Sequence, residues 1–291
     1  MTHAAFTPGS VAVVTGGAAG IGLAAARRFA TLGLKVCIAD RGPDRLARAA
    51  HELAMLAANG ASDVMTVPTD VSKLEDLRGL EQAVRERYGG TDVLMNNAGI
   101  QPGSACFGPL ENWQRVLDVN LWGVIHGVQT FVPAMLQRGR PGCVINTGSK
   151  QGITTPPGDP AYNVSKAGVK ACTEALQHEL RNTVGCQVSA HLLIPGFVFT
   201  ELTAHGRTEK PPGAWTPEQT VDFMLGSLEA GDFYILCPDN DVPRALDELR
   251  ILWAAGDIVE NRPPLSRWHV DHAEAFAAHV DAALHAPALR T

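Results

Sequence analysis

Tyr162 and Lys166 lie four residues apart, a spacing that puts both side chains on one face of any helix that holds them. A free tyrosine titrates near ~10, too high for a general base at neutral pH, but an adjacent ammonium stabilises the phenolate and lowers that value. The pair is therefore suited to moving a proton. A second constellation lies near the start, where Thr15-Gly16-Gly17-Ala18-Ala19-Gly20-Ile21-Gly22 joins an apolar β-branched run to a helical pattern. Gly16, Gly20 and Gly22 permit a sharp turn and let the backbone approach a ligand with no Cβ in the way. The free N–H groups of the helix that opens around Ile21 suit a pyrophosphate. Asp40 ends the next apolar run, 18 residues beyond Gly22, where a carboxylate can accept hydrogen bonds from the ribose hydroxyls of a dinucleotide. It would repel a 2′-phosphate and so favours NAD(H). Arg41 beside it could hold that phosphate and admit NADP(H).

Elements must position these groups. Short, nearly continuous apolar runs predict strands at 11–15, 35–39, 64–67, 92–95, 143–147, 188–194 and 233–237, of the kind buried on both faces in a parallel sheet. Amphipathic segments between them predict helices over 20–32, 43–58, 73–88, 111–138, 160–184 and 217–230. Ser72-Lys-Leu-Glu75 and Thr216-Pro-Glu-Gln219 read as capping boxes, the second with proline at the first helical position. Regular alternation predicts an α/β fold, a doubly wound parallel sheet of about seven strands with helices on both faces. One domain is expected over 1–291, its core at about 8–238. Residues 239–291 read as an extension of two helices, 243–255 ended by Gly256 and 271–284, joined by the irregular ENRPPLSRW. Some fifty residues make a poor core of their own, so the extension should pack on the domain.

The chain has 291 residues, 45% of them apolar and 19% charged, enough for a large core. With 24 basic and 30 acidic residues its net charge is −6, which argues against a nucleic-acid or anionic-membrane partner. The first residues, MTHAAFTPGS, have no basic and apolar signal pattern, and no apolar run approaches the ~18 residues that span a bilayer. Six cysteines without a CxxC pair read as reduced thiols, and a cytoplasmic location is expected. His269 and His272, with His279 and His285 downstream, lack a third ligand at fixed spacing, so no metal is expected.

TGxxxGxG at 15–22, Asn96-Asn97-Ala98-Gly99 and Tyr162-Asn-Val-Ser-Lys166, in this order and strand context, resemble the short-chain dehydrogenase/reductase family over about residues 8–200. The resemblance implies a Rossmann fold and hydride transfer between nicotinamide and a secondary alcohol or ketone. Tyr162 would be the general acid/base and Lys166 its partner and a ligand of the nicotinamide ribose. Ser149, 13 residues before Tyr162, would bind the substrate oxygen, and Asn120 would anchor a water beside the lysine. The resemblance places Asp70 and Val71 against adenine, Asn97, Ala98 and Gly99 near the adenosine ribose, and Pro195, Gly196, Val198 and Thr200 against the nicotinamide. It also implies a homodimer or homotetramer.

Two other functions compete. Sugar-nucleotide epimerases and dehydratases share YxxxK but resemble TGxxGxxG in the first turn; glycines at 16, 20 and 22 favour a dehydrogenase. A non-catalytic dinucleotide-binding protein would typically lose Ser, Tyr or Lys, and all three are present. The substrate pocket is expected to be walled by 101–107, 151–160 and 197–216, with Phe197, Phe199 and Trp215, and to take an uncharged, partly apolar small molecule. The apolar extension, with Trp253 and Trp268, is expected to shape the substrate entrance or an oligomer contact.

Overall fold

Strands apolar on both faces must be covered on both, and the chain meets that demand with a Rossmann-like sheet between two helical layers. The computed structural model describes residues 3–204 and 206–285. Strands β1 (Val11–Thr15), β2 (Lys35–Asp40), β3 (Val64–Pro68), β4 (Val93–Asn96), β5 (Gly142–Thr147), β6 (Val188–Ile194) and β7 (Tyr234–Leu236) form one parallel sheet in the order β3-β2-β1-β4-β5-β6-β7. Val13 stands in register with Cys37 on one side and Leu94 on the other. Strand order reverses between β1 and β4, which opens a crevice at their carboxyl ends.

Helices α1 (Gly20–Thr31), α2 (Pro43–Leu56), α3 (Leu74–Tyr88), α4 (Leu110–Leu117), α5 (Gly123–Gln137), α6 (Gln151–Thr154), α7 (Pro160–Asn182), α8 (Glu201–Ala204), α9 (Pro217–Ala230), α10 (Arg244–Val259) and α11 (Ala273–His285) complete the chain. Ala12, Val14, Ile38 and Ile145 pack with Phe29 of α1 and Met224 of α9 on one face. Val11, Val13, Leu94 and Val144 pack with Leu77 of α3 and Phe131 of α5 on the other.

Three local expectations fail for identifiable reasons. The helix predicted over 111–138 is interrupted by a π-turn at Asp118–Trp122 that carries Asn120 inward, which an apolar periodicity does not register. The Thr216–Gln219 capping box forms, but the one at Ser72 does not. The Ser72 hydroxyl donates instead to Asp70 Oδ1 at 2.7 Å, and α3 starts after Lys73. Gly256 does not end α10, which runs on to Val259. A Cβ there would lie 2.5 Å from the Arg262 guanidinium, so this glycine makes room for the arginine that covers the Trp253 ring at 4.1 Å. Trp253 is buried and donates to Ser266 Oγ at 2.8 Å. The second extension helix begins at Ala273, after two 3-10 turns, and residues 286–291 lie outside the described ones. The extension meets the rest of the chain where α10 packs against α6. No helix among the described residues is long and apolar enough to cross a membrane.

Candidate active site

A cleft of about 440 Å³ opens at the carboxyl ends of β1, β2, β4, β5 and β6. Of the residues singled out from sequence, Gly16, Gly20, Ile21, Asp40, Arg41, Asp70, Val71, Asn97, Ala98, Gly99, Ser149, Tyr162, Lys166, Pro195, Gly196, Val198 and Thr200 all line it. Gly22 and Asn120 stand behind its wall.

The glycine turn is closed from the β4 side. A Cβ on Gly16, whose φ is +63°, would lie 2.9 Å from Ala98 Cα; one on Gly22 would lie 2.3 Å from the Gly16 carbonyl. Thr15 Oγ1 accepts from the backbone N–H of Asn97 at 3.0 Å and of Ala98 at 3.2 Å, and Asn97 Nδ2 donates to the Thr15 carbonyl at 3.2 Å. Thr15, not singled out from sequence, thus ties the two backbone segments together; its place before the first glycine was the available signal. The cradle has the shape a dinucleotide needs: bare backbone, open amides at the start of α1 and a carboxylate at the end of β2. Asp40 accepts from Ala18 N at 3.3 Å and from Arg41 N at 2.8 Å. Burial raises the Asp70 carboxyl, but Ser72 hydrogen bonds and the charges of Arg41 and Lys73 hold it below the usual range. Across the rim, Arg45 pairs with Glu201 of α8 at 2.9 Å.

At the other end α7 presents Tyr162 and Lys166 on one face, both buried. Lys166 Nζ lies 5.6 Å from the Tyr162 ring centroid and donates to the Thr147 carbonyl at 2.8 Å. Burial pushes the phenol up to about 12, against a hydrogen bond from Ser149 that favours the phenolate; Asp159 pushes it further up. Burial also brings Lys166 down to about 8. In the protein alone, burial is the largest influence on the phenol. Asn120 Oδ1 accepts from Ile100 N at 2.8 Å while its Nδ2 donates to Ile100 O at 2.9 Å and to Ser165 Oγ at 3.3 Å. It pins the strand exit at Gly99, whose Cβ position lies 3.5 Å from Asn120 Oδ1 and 3.8 Å from Lys166 Nζ.

Of the expected wall, only part of 197–216 lines the cleft, between Val198 and Thr203, while 101–107, 151–160 and the three aromatics do not. Trp215 packs with Phe223 of α9, ring centroids 5.8 Å apart, because the 198–215 bridge turns it into the core. Neither it nor Phe197 or Phe199 is among the cleft-lining residues; Ile100 and Val198 supply apolar surface instead. Away from the cleft, His3, Cys143 and His191 gather within 4.8 Å, a group that sequence spacing did not suggest. Ala5 N donates to His3 Nδ1 at 3.2 Å, leaving Nε2–H to face Ser189 Oγ at 3.1 Å. Ser189 bonds His191 Nε2 at 2.9 Å, and His191 Nδ1 donates to the Asp232 carbonyl at 2.8 Å. Burial lowers both histidines, so each is held neutral with its lone pair already engaged.

The short chain dehydrogenase family model matches residues 10–211. The chain belongs to that family. It is 33% identical over 265 residues to 1-deoxy-11-beta-hydroxypentalenate dehydrogenase of Streptomyces exfoliatus, covering 88% of this chain and 93% of that protein. It is 33% identical over 193 residues to D-beta-hydroxybutyrate dehydrogenase of Rhizobium meliloti, covering 66% and 72%. Among solved structures, a short chain dehydrogenase/reductase of Burkholderia phymatum in complex with NAD aligns with TM-score 0.79 at 31% identity, over 91% of this chain and 98% of that one. An alcohol dehydrogenase of Thermococcus sibiricus complexed with 5-hydroxy-NADP aligns at 0.67 and 29% identity, over 76% and 90%. The family is one of oxidoreductases, and this chain is one of them.

Proposed function

We propose that the protein is an NAD(H)-dependent dehydrogenase that interconverts a secondary alcohol and a ketone, with Tyr162 as general acid/base. The observation that carries this reading is the meeting of Ser149, Tyr162 and Lys166 at one end of the cleft whose other end is the glycine cradle. The nicotinamide, when bound, would accept or deliver the hydride. Ser149, whose hydroxyl draws the phenol's titration down against burial, would hold the substrate oxygen beside it. Tyr162, protonated at neutral pH, would donate to a carbonyl oxygen in reduction and must lose its proton before oxidation. Lys166, mostly charged at pH 7, would favour the phenolate through the same face of α7 and reach the ribose from its seat on Thr147. Asn120 would act by fixing the backbone beside Lys166 and by holding a water there.

NAD(H) over NADP(H) is supported by charge balance at the adenosine rim. Two guanidiniums, Arg41 and Arg45, face three carboxylates, Asp40, Asp70 and Glu201; Glu201 already occupies Arg45 and Asp70 feels Arg41. A 2′-phosphate would meet repulsion there. At the reacting end Lys166 is the only cation lining the cleft among the described residues, which supports an uncharged substrate. The hydroxy-acid names of the two relatives favour a second reading, a carboxylate-bearing alcohol. A panel of neutral ketones, secondary alcohols and 3-hydroxy acids, run with NAD(H) and NADP(H) and followed at the nicotinamide absorbance, decides between them. Turnover of neutral alcohols with NAD is expected; a preference for NADP would transfer the ribose-reading role from Asp40 to Arg41. Asp40→Ala should shift the NAD/NADP ratio of kcat/KM about tenfold toward NADP, roughly one lost charge contact; an unchanged ratio refutes the assignment of Asp40. The small-molecule substrate, a cytoplasmic setting and a homodimer or homotetramer complete the proposal; exposed Leu110 and Trp122 beside the π-turn support self-association, and mass by light scattering checks it.

A further inference from the structure

Lys150 directly follows the serine of the site, yet its side chain does not line the cleft. It lines a separate cavity of about 40 Å³ shared with Asp247 and Arg250 of α10. Its ammonium lies 2.6 Å from Asp247 Oδ2 and 3.3 Å from Asp239 Oδ2, with the two carboxylate side chains 5% and 6% exposed. Asp239 does more than balance charge. Its Oδ2 accepts from Phe197 N at 3.1 Å, and its Oδ1 accepts from Val242 N at 2.8 Å and Asp241 N at 3.2 Å. A Cβ on Gly196 would fall 2.5 Å from Asp239 Oδ2 and 2.9 Å from Lys150 Nζ, so no side chain fits between these groups. Arg250 stands near Asp247, and Arg267, brought down to about 10 by burial beside Arg250, closes the cavity.

Three segments therefore meet at one buried ionic knot: the serine turn after β5, the Pro195–Phe197 turn after β6, and the start of the extension. The Lys150 carbonyl accepts from Ile153 N at 3.0 Å and Thr154 N at 3.1 Å, and Ser149 Oγ accepts from Gln151 N at 3.1 Å. Serine hydroxyl, lysine backbone and the α6 turn are thus tied together. We propose that Lys150, held by Asp239 and Asp247, is a positioning residue that fixes Ser149 and the Gly196–Phe197 turn relative to Tyr162, so that the C-terminal extension governs the reaction without touching the substrate. The inference rests on the reaction proposed above. It gives the extension a role although none of its described residues lines the cleft. A half-buried ammonium with two nearly buried carboxylates has few alternative partners, which is how the pair would specify its position.

Asp247→Asn preserves shape and removes one charge. It should lower kcat about tenfold or more, as displacement of a reacting group does, while KM for the dinucleotide changes less than about twofold. Lys150→Met with Asp239→Asn and Asp247→Leu removes all three charges together, so no carboxylate is left buried without its counter-ion, an exchange often neutral or stabilising for buried ions. That triple variant should melt near the wild-type temperature and still show the low kcat. Should kcat return together with the melting temperature, the knot is merely structural and the proposal is overturned. A readout independent of turnover uses tyrosine labelled with 13C at Cζ, of which the chain holds three, at 88, 162 and 234. Ser149→Ala reports the Tyr162 shift when the serine hydroxyl is removed, and Asp247→Asn should move the same resonance in the same direction. A resonance that stays at its wild-type position overturns the positioning role. Variants that show this response, beside a wild-type chain that reduces no ketone, would instead refute the reaction and leave the positioning intact.

Discussion

The two ends of the cleft are built by opposite means. The cradle end, from β1 to β4, is made of backbone: glycines without side chains, open amides, and Thr15 and Asn97 binding one turn to the next. The reacting end, from β5 to β7, is made of polar and charged side chains, with Tyr162, Lys166, Asp239 and Asp247 buried and Ser149 and Lys150 half-buried among them. The first binds a group whose shape is constant and needs close approach. The second must hold proton-transfer groups at set separations against the desolvation that pushes Tyr162 up and Lys166 down. A backbone site fails by collision, whereas a side-chain site fails by loss of charge or register.

The largest effect should come from the reacting end. Tyr162→Phe removes only a hydroxyl and should cut turnover by the ~10²–10⁴-fold of a positioned acid/base, with dinucleotide binding intact by fluorescence titration. Turnover within about a tenth of wild type would dissolve the contrast between the two ends. Next in size is the response to pH. With the phenol high, its ionised fraction grows up to about tenfold per pH unit, so kcat/KM for oxidation should climb between roughly pH 6 and 8. The climb should flatten above about 8, where Lys166 loses its proton, whereas reduction should stay level across neutrality. A flat oxidation profile over that range excludes Tyr162 as the titrating base.

The cradle end should answer to volume instead. Gly22→Ala drives a methyl against the Gly16 carbonyl and Asn97 and should cost about 1–3 kcal/mol of stability, weakening dinucleotide binding about tenfold. Gly79→Ala in α3, where a Cβ meets nothing within 4 Å, should stabilise by about 0.5–1 kcal/mol. If calorimetry finds the two alike, collision is not what makes the cradle intolerant. The smallest effect lies outside both ends. Thr216→Ala breaks a formed capping box and should cost about 1 kcal/mol, a drop of roughly 2–4 °C in Tm. Ser72→Ala should leave the start of α3 unchanged, because Ser72 serves Asp70 rather than the helix.

The sequence by itself determined the alternation of buried strands and amphipathic helices, and with it the parallel sheet and the glycine cradle. These are local in their causes: a run of Val and Ile, a Gly where no Cβ fits, four residues between Tyr162 and Lys166. Most of the other cleft-lining residues were legible through the resemblance to the family, and they follow strands whose positions the pattern announces, except Tyr162 and Lys166 on α7. Where two segments compete for one polar group the pattern is silent. Ser72 reads as a cap until Asp70 takes its hydroxyl, and Gly256 reads as a stop until Arg262 is seen to fill the space beside it. The π-turn at Asn120, the inward turn of Trp215 and the partnership of Lys150 with Asp239 and Asp247 join residues far apart along the chain. Only the tertiary structure decided these, because the energy of a buried polar group depends on which partners reach it, and spacing in one dimension does not encode that reach.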